Sequence, residues 1–222
     1  TSLVLPLPDD LRSGVYALKL VQDGLQEGEQ WIDYVPVFVR PSVPKARLCF
    51  LMPTLSFQCY EHSAEICPAN TRQADGSGAF GGTGWITATA TGALLHQLPS
   101  RRCLGRCTYD HHNDGDGVKY ASTLRPCLLT RPNEPAWQFP AEAHILAFLE
   151  DKGLDYDIVT DHQLHAEGIS ALQSYTAVLS GTHPEYYSKP MLDALMQWTQ
   201  REGGRFVSLG ANGFYWNVAF PP

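Results

Sequence analysis

Residues Ser180 to Ser188, SGTHPEYYS, place His183, Glu185, Tyr186 and Tyr187 within five positions, directly after the apolar run YTAVL. His and Glu move protons or bind metal ions near neutral pH, and a tyrosine phenol becomes a hard anionic ligand beside a cation. Two readings compete: a surface turn with a proline and some aromatics, or a ligand and proton-transfer group held at the mouth of a sheet. Elsewhere, Cys103 and Cys107 are followed by Asp110, His111 and His112. Structural zinc usually wants two tight pairs of ligands, and this segment has one. DHHNDGDG, from Asp110, resembles a calcium loop, but the position that needs a glutamate holds Ala121. Cys59, with His62 or His183 as base, would make a thiol hydrolase. Against it, Cys59 lacks the small-x-Cys-x-Gly elbow and lies well beyond the nearest strand. His111, His112, His162 and His165 are left unassigned.

Something must hold these groups in place. RLCFLMP is a short continuous apolar run, the pattern of a strand buried on both faces. DYDIVT, TAVLSG and RFVSLG read as further strands. Between them AEAHILAFLEDKG has helical spacing at Ala143, Leu146, Ala147 and Glu150, widened by Ile145 and Leu149, and stops at Gly153. DHQLHAEGISALQSY contains a short helix or two, with Asp161 as N-cap. SKPMLDALMQWTQREGG reads as a helix with Ser188 as N-cap, Leu192, Leu195, Met196 and Thr199 on one face, and Gly203 after it. Strands alternating with helices imply parallel strands joined by crossovers. The expected fold is α/β over residues 44–222, an open parallel sheet of the flavodoxin or glutamine-amidotransferase-like three-layer kind. Residues 1–43 precede it as a short β segment, the end of a β-rich domain or an appendage. The long Gly- and Thr-rich stretch from about Thr54 to Pro140 carries elements the pattern does not place.

Sites in open parallel sheets form outside the C-terminal ends of the strands. PTLSFQCYEH follows the first strand, THPEYY the third and ANGFYW the fourth, so separate strands deliver polar and aromatic residues to one edge. That convergence favours the chemical reading of His183 and Glu185.

The totals narrow the classes. The chain has 222 residues and a net charge of −7, with no block of Lys or Arg, which argues against a nucleic-acid partner. No apolar run is long enough to span a bilayer, and no signal peptide opens the chain, so a cytoplasmic location is expected. Six cysteines are too few for a disulfide scaffold, and Cys49 reads as a small buried hydrophobe. The opening TSLVLPLPDDL, without an initiator Met, reads as a piece of a longer protein.

LMPTLSFQCYEH, TYDHHNDGDGVKYASTLRPCLLTRP, DYDIVTDHQLHAEG and the run from Tyr175 to Trp216 together resemble the large (beta) subunit family of N,N-dimethylformamidase, in its C-terminal domain. The resemblance implies an amidohydrolase that cleaves a small N-substituted amide with a mononuclear Fe(III) held by two tyrosines and one glutamate. The matching positions here are Tyr60, Tyr109 and Glu185, with His183 and Asn212 beside the metal. Phe57 stands where the family commonly has a second aromatic hydroxyl, and Glu61-His62 where it has Ala-Asn. The family continues beyond the equivalent of Pro222, where further acid/base residues are expected. It also implies an oligomer, sometimes with a small subunit. Without that resemblance the local alternatives stay open. Tyr60 and Tyr109 could be ordinary aromatics, and Tyr186 or Tyr187 could take the ligand role. Glu185 could cap the helix near Ser188, Asn212-Gly213 is also a plain turn signal, and the aromatics could form a non-enzymatic ligand-binding edge.

Overall fold

The computed structural model describes residues 4–21, 32–60, 107–109, 112, 114–125, 127, 130–132 and 137–221. The expectations placed on Glu61, His62, Cys67, Cys103, Asp110, His111 and the 63–99 loop lie outside these residues. Among the described residues the chain opens with an antiparallel pair, β1 (Gly14–Val21) and β2 (Ile32–Val39). There follow β3 (Leu48–Met52), α1 (Thr54–Tyr60), α2 (Phe139–Asp151), β4 (Tyr156–Thr160) and α3 (Asp161–Glu167). A 3-10 turn (Gly168–Ala171), β5 (Ala177–Ser180), β6 (Tyr186–Ser188), α4 (Lys189–Gln200), β7 (Arg205–Val207) and β8 (Trp216–Val218) complete the order.

Four strands form one parallel sheet in the order β4-β3-β5-β7. The apolar run of β3 is central and sends alternate side chains to opposite faces. Phe50 and Met52 meet Leu146 and Leu149 of α2 on one face, joined by Phe57, Phe139, Ile158 and Leu179. Cys49 and Leu51 meet the core built on Leu164 of α3 and on Met191, Leu195 and Trp198 of α4 on the other. Because the chain passes from β3 to β4 on one side and then returns to β5 on the other, the winding reverses between β3 and β5. A crevice opens at such a reversal, beyond the C-terminal strand ends.

Several local expectations shift for tertiary reasons. The buried side of α4 is Met191, Ala194, Leu195 and Trp198, and Met196 is 60% exposed. The helix rotates so that Trp198 enters the core, where its indole N–H donates to Leu172 O at 2.9 Å. In α2 the buried stripe includes Leu146 and Leu149, but Ala147 and Glu150 face outward and Glu142 faces inward. The N-cap of α3 is Thr160, which forms a reciprocal capping box with Gln163. Asp161 instead turns to α1, where its carboxylate accepts the Leu55 N–H at 3.0 Å. Ser188 holds the N-cap position of α4, but its side chain makes no cap bond there. Its hydroxyl lies 2.7 Å from His165 Nδ1.

The β1–β2 pair packs on β4. Ser13 Oγ donates to Val39 O at 3.0 Å and accepts the Ile158 N–H at 3.0 Å, while Val15 and Phe38 rest against the α2-side core. No helix among the described residues is long and apolar enough to cross a membrane.

Candidate metal centre at the sheet edge

Tyr60 ends α1, the helix that springs from the tip of β3. Glu185 lies between the tip of β5 and β6. The two strands flank the crevice, so residues 125 positions apart meet there: Tyr60 Oη donates to Glu185 Oε2 at 2.6 Å. Tyr109 arrives from the long segment between α1 and α2. Its ring stacks on Tyr60 with centroids 4.2 Å apart, and its hydroxyl lies 3.4 Å from the same Glu185 oxygen. His183 Nδ1 is 3.6 Å from that oxygen, too long for a hydrogen bond, and has no other partner although it is buried. Two phenol oxygens and one unsatisfied ring nitrogen therefore crowd a single carboxylate oxygen.

The remaining candidates fall behind this group. Asn212 Nδ2 faces His183 Nε2 at 3.4 Å. With an amide donor on Nε2, the imidazole proton sits on Nδ1 and points toward the centre. The partner of the Asn212 amide is the imidazole. Tyr186 is one bond removed, its hydroxyl 2.7 Å from that of Tyr109. Tyr187, the next residue along β6, points away and stacks on Phe214 at 4.6 Å. Glu185 does not cap α4, because its carboxylate is engaged by the phenols.

Burial sets the electrostatics. It pushes the Tyr60 phenol far above its usual range, helped by the Glu185 hydrogen bond, and pushes Tyr109 up to about 12. Burial lowers His183 below its ordinary value, with Glu185 opposing, so the imidazole is neutral at neutral pH. In this state the protein alone keeps both phenols protonated. A multivalent cation among the oxygens reverses that preference, since it favours phenolate strongly. Two phenolates and one carboxylate are hard donors suited to a hard trivalent ion, and the convergence on one oxygen fits such a group. Among the described residues no three His, Cys, Asp or Glu side chains gather as a metal set; the cluster here is phenolic.

Trp137, Ser56 and Glu142 belong to the surroundings and were not singled out by the sequence. Trp137 packs against Tyr60 and His183 with centroids 5.4 and 4.9 Å away. Ser56 Oγ accepts the Glu185 N–H at 3.1 Å. Glu142 binds the loop carrying His183. The available signal was an acidic residue on the apolar stripe of α2, four positions before Leu146. A cavity of about 530 Å³ touches Tyr109, Tyr186, Cys59 and Trp216 but not Tyr60, His183 or Glu185. Cys59 is buried in α1 and lines this cavity. The ring nitrogens of His183 face Glu185 and Asn212, which leaves it poorly placed as a base for that thiol.

A family model described as N,N-dimethylformamidase beta subunit-like, C-terminal, matches residues 1–222. An N,N-dimethylformamidase beta subunit from Paracoccus aminophilus is 36% identical over 225 residues, covering 98% of this chain and 28% of that protein. Another, from an Alcaligenes species, is 33% identical over 223 residues, covering 97% of this chain and 27% of that protein. The chain therefore spans little more than a quarter of the length of these relatives.

Proposed function

The chain belongs to the N,N-dimethylformamidase beta subunit-like C-terminal family, and from that premise we propose that it carries the metal centre of an amide hydrolase. The substrate class is a small N-substituted amide, of the kind the relatives are named for. The observation that supports the reading is the meeting of Tyr60, Tyr109 and Glu185 at one oxygen atom, beside a buried His183 nitrogen without a partner. Tyr60, Tyr109 and Glu185 would hold a single Fe(III). When bound, the ion supplies Lewis acidity for an amide carbonyl and for a water.

The chain's own residues do the rest. His183 presents Nδ1 to the centre, where its proton holds an oxygen atom of water or substrate. Asn212 orients the imidazole from behind through Nε2. Trp137 covers Tyr60 and His183 and limits water on that side. Ser56 fixes the Glu185 backbone. The strand order, second-first-third-fourth in the chain, is in keeping with a flavodoxin or glutamine-amidotransferase-like arrangement and puts these groups at the winding reversal. The relatives' description as beta subunits supports assembly into an oligomer with other subunits.

The test is a visible absorption spectrum with elemental analysis. Phenolate bound to Fe(III) gives a charge-transfer colour. We expect about one iron per chain, in keeping with one cluster of three ligands, and bleaching in Tyr109→Phe. A colourless protein that takes up no iron would overturn the centre as drawn.

A further inference from the structure

Beneath the centre lies a carboxylate that the chemistry above does not use. Glu142 is fully buried in the first turn of α2, at 0% exposure. Both of its oxygens accept the Thr182 N–H at 2.9 Å, and Oε1 also accepts the Thr182 hydroxyl at 2.8 Å. Thr182 belongs to the loop from Gly181 to Glu185, which carries both His183 and Glu185.

The loop is held from the other side too. Ala211 N–H donates to Thr182 O at 3.2 Å, Phe214 N–H to Pro184 O at 3.3 Å and Trp216 N–H to Glu185 O at 2.9 Å. There is no slack between the two supports. A Cβ on Gly181 would lie 2.8 Å from Glu142 Oε1 and 2.7 Å from the Pro53 ring, and one on Gly210 would lie 2.7 Å from Thr182 O.

We propose that Glu142 is a positioning residue: by gripping Thr182 through its N–H and hydroxyl it sets where His183 Nδ1 and Glu185 Oε2 stand relative to Tyr60 and Tyr109. The consequence for metal binding rests on the amide-hydrolase reading; the grip itself does not. The carboxyl meets Thr182 through both of its oxygens. An amide at this position turns an N–H₂ toward backbone donors.

The experiment compares the full chain with Glu142→Gln and Thr182→Val, using Fe(III) alone as the probe. Three quantities are read: amide hydrogen exchange at Thr182, the ¹⁵N resonances of the His183 ring, and Fe(III) affinity with its charge-transfer band. In Glu142→Gln, losing one of these acceptors should speed exchange at the Thr182 amide about tenfold. It should also move the His183 ring resonances, weaken Fe(III) binding about tenfold and shift the band. Thr182→Val removes only the hydroxyl bond and should move each readout in the same direction by less, and it decides the matter if Glu142→Gln fails to fold. Faster exchange with unmoved His183 resonances would overturn the proposal and leave Glu142 a fold residue. Unchanged exchange would overturn the grip itself. A wild-type protein that binds no Fe(III) defeats the metal reading, while exchange and the His183 resonances still decide the positioning role.

Discussion

At the scale of single residues, charge is controlled by burial and relieved by specific partners. Tyr60 and Tyr109 are protonated while the cluster is closed on itself, so uptake of the proposed iron would release protons. Uptake should therefore strengthen with rising pH, measured as Fe(III) affinity between pH 5 and 8 on the order of a unit apart. Tyr60→Phe should lose most of that affinity, and its remaining pH slope should be shallower. Glu142 responds in the opposite sense, through stability. Its carboxyl is pushed up to about 7 in the folded protein from 4.5, chiefly by burial. A raised folded value means that the folded state binds the extra proton. The contribution is thus fully present below about pH 4.5 and is lost as pH rises through about 7, at most on the order of 3 kcal/mol. Urea midpoints across that range should fall for the wild type, and the fall should be smaller in Glu142→Gln.

At the scale of elements, what counts is how each end of a strand or helix is tied. The capping box on Thr160 fixes the start of α3 immediately after β4, so Thr160→Ala should cost about 1 kcal/mol, read as a shift in denaturant midpoint with an unchanged slope. Ser13 ties the β1–β2 pair to β4 through two buried backbone groups. Ser13→Ala leaves a carbonyl and an N–H without that partner and should cost about 1–3 kcal/mol. Because the sheet-edge cluster lies on β3 and β5 rather than β4, iron binding in that variant should match the wild type once the protein is folded. The loop after β5 behaves differently. Gly210→Ala drives a Cβ to 2.2 Å from Pro184 Cδ and must displace the loop that carries Glu185. It should weaken Fe(III) binding while the melting transition remains cooperative.

At the scale of the whole molecule, one sheet separates two cores, and the site spans the gap between the strand ends. Trp198 anchors the larger core, fully buried with its N–H bonded and Arg201 over its ring at 4.9 Å. Trp198→Ala should cost about 3–5 kcal/mol, measured as a loss of melting temperature, and it should weaken iron binding only in proportion to unfolding. The sheet-edge residues come from three well-separated parts of the chain: Tyr60, Tyr109, and the one loop that carries both His183 and Glu185. Their proximity is a property of strand order, and of the reversal between β3 and β5 in particular.

Features that local interactions control could be read from the residues alone. β3 was legible because burial on both faces demands an uninterrupted apolar run, and α2 because Leu146 and Leu149 repeat at helical spacing. Gly153, with φ 63°, was legible as a helix stop because its conformation is local. The family resemblance named Tyr60, Tyr109 and Glu185, but spacing alone left Tyr186 and Tyr187 as rivals. Tertiary structure placed them apart: β6 alternates, so Tyr186 bonds Tyr109 while Tyr187 turns away. It also decided that Asp161 serves α1 rather than α3, that Trp198 rather than Met196 enters the core, and that Glu142 reaches Thr182. Periodicity and capping act over one or two turns, whereas a buried polar side chain must find its partner wherever the packed layers bring one.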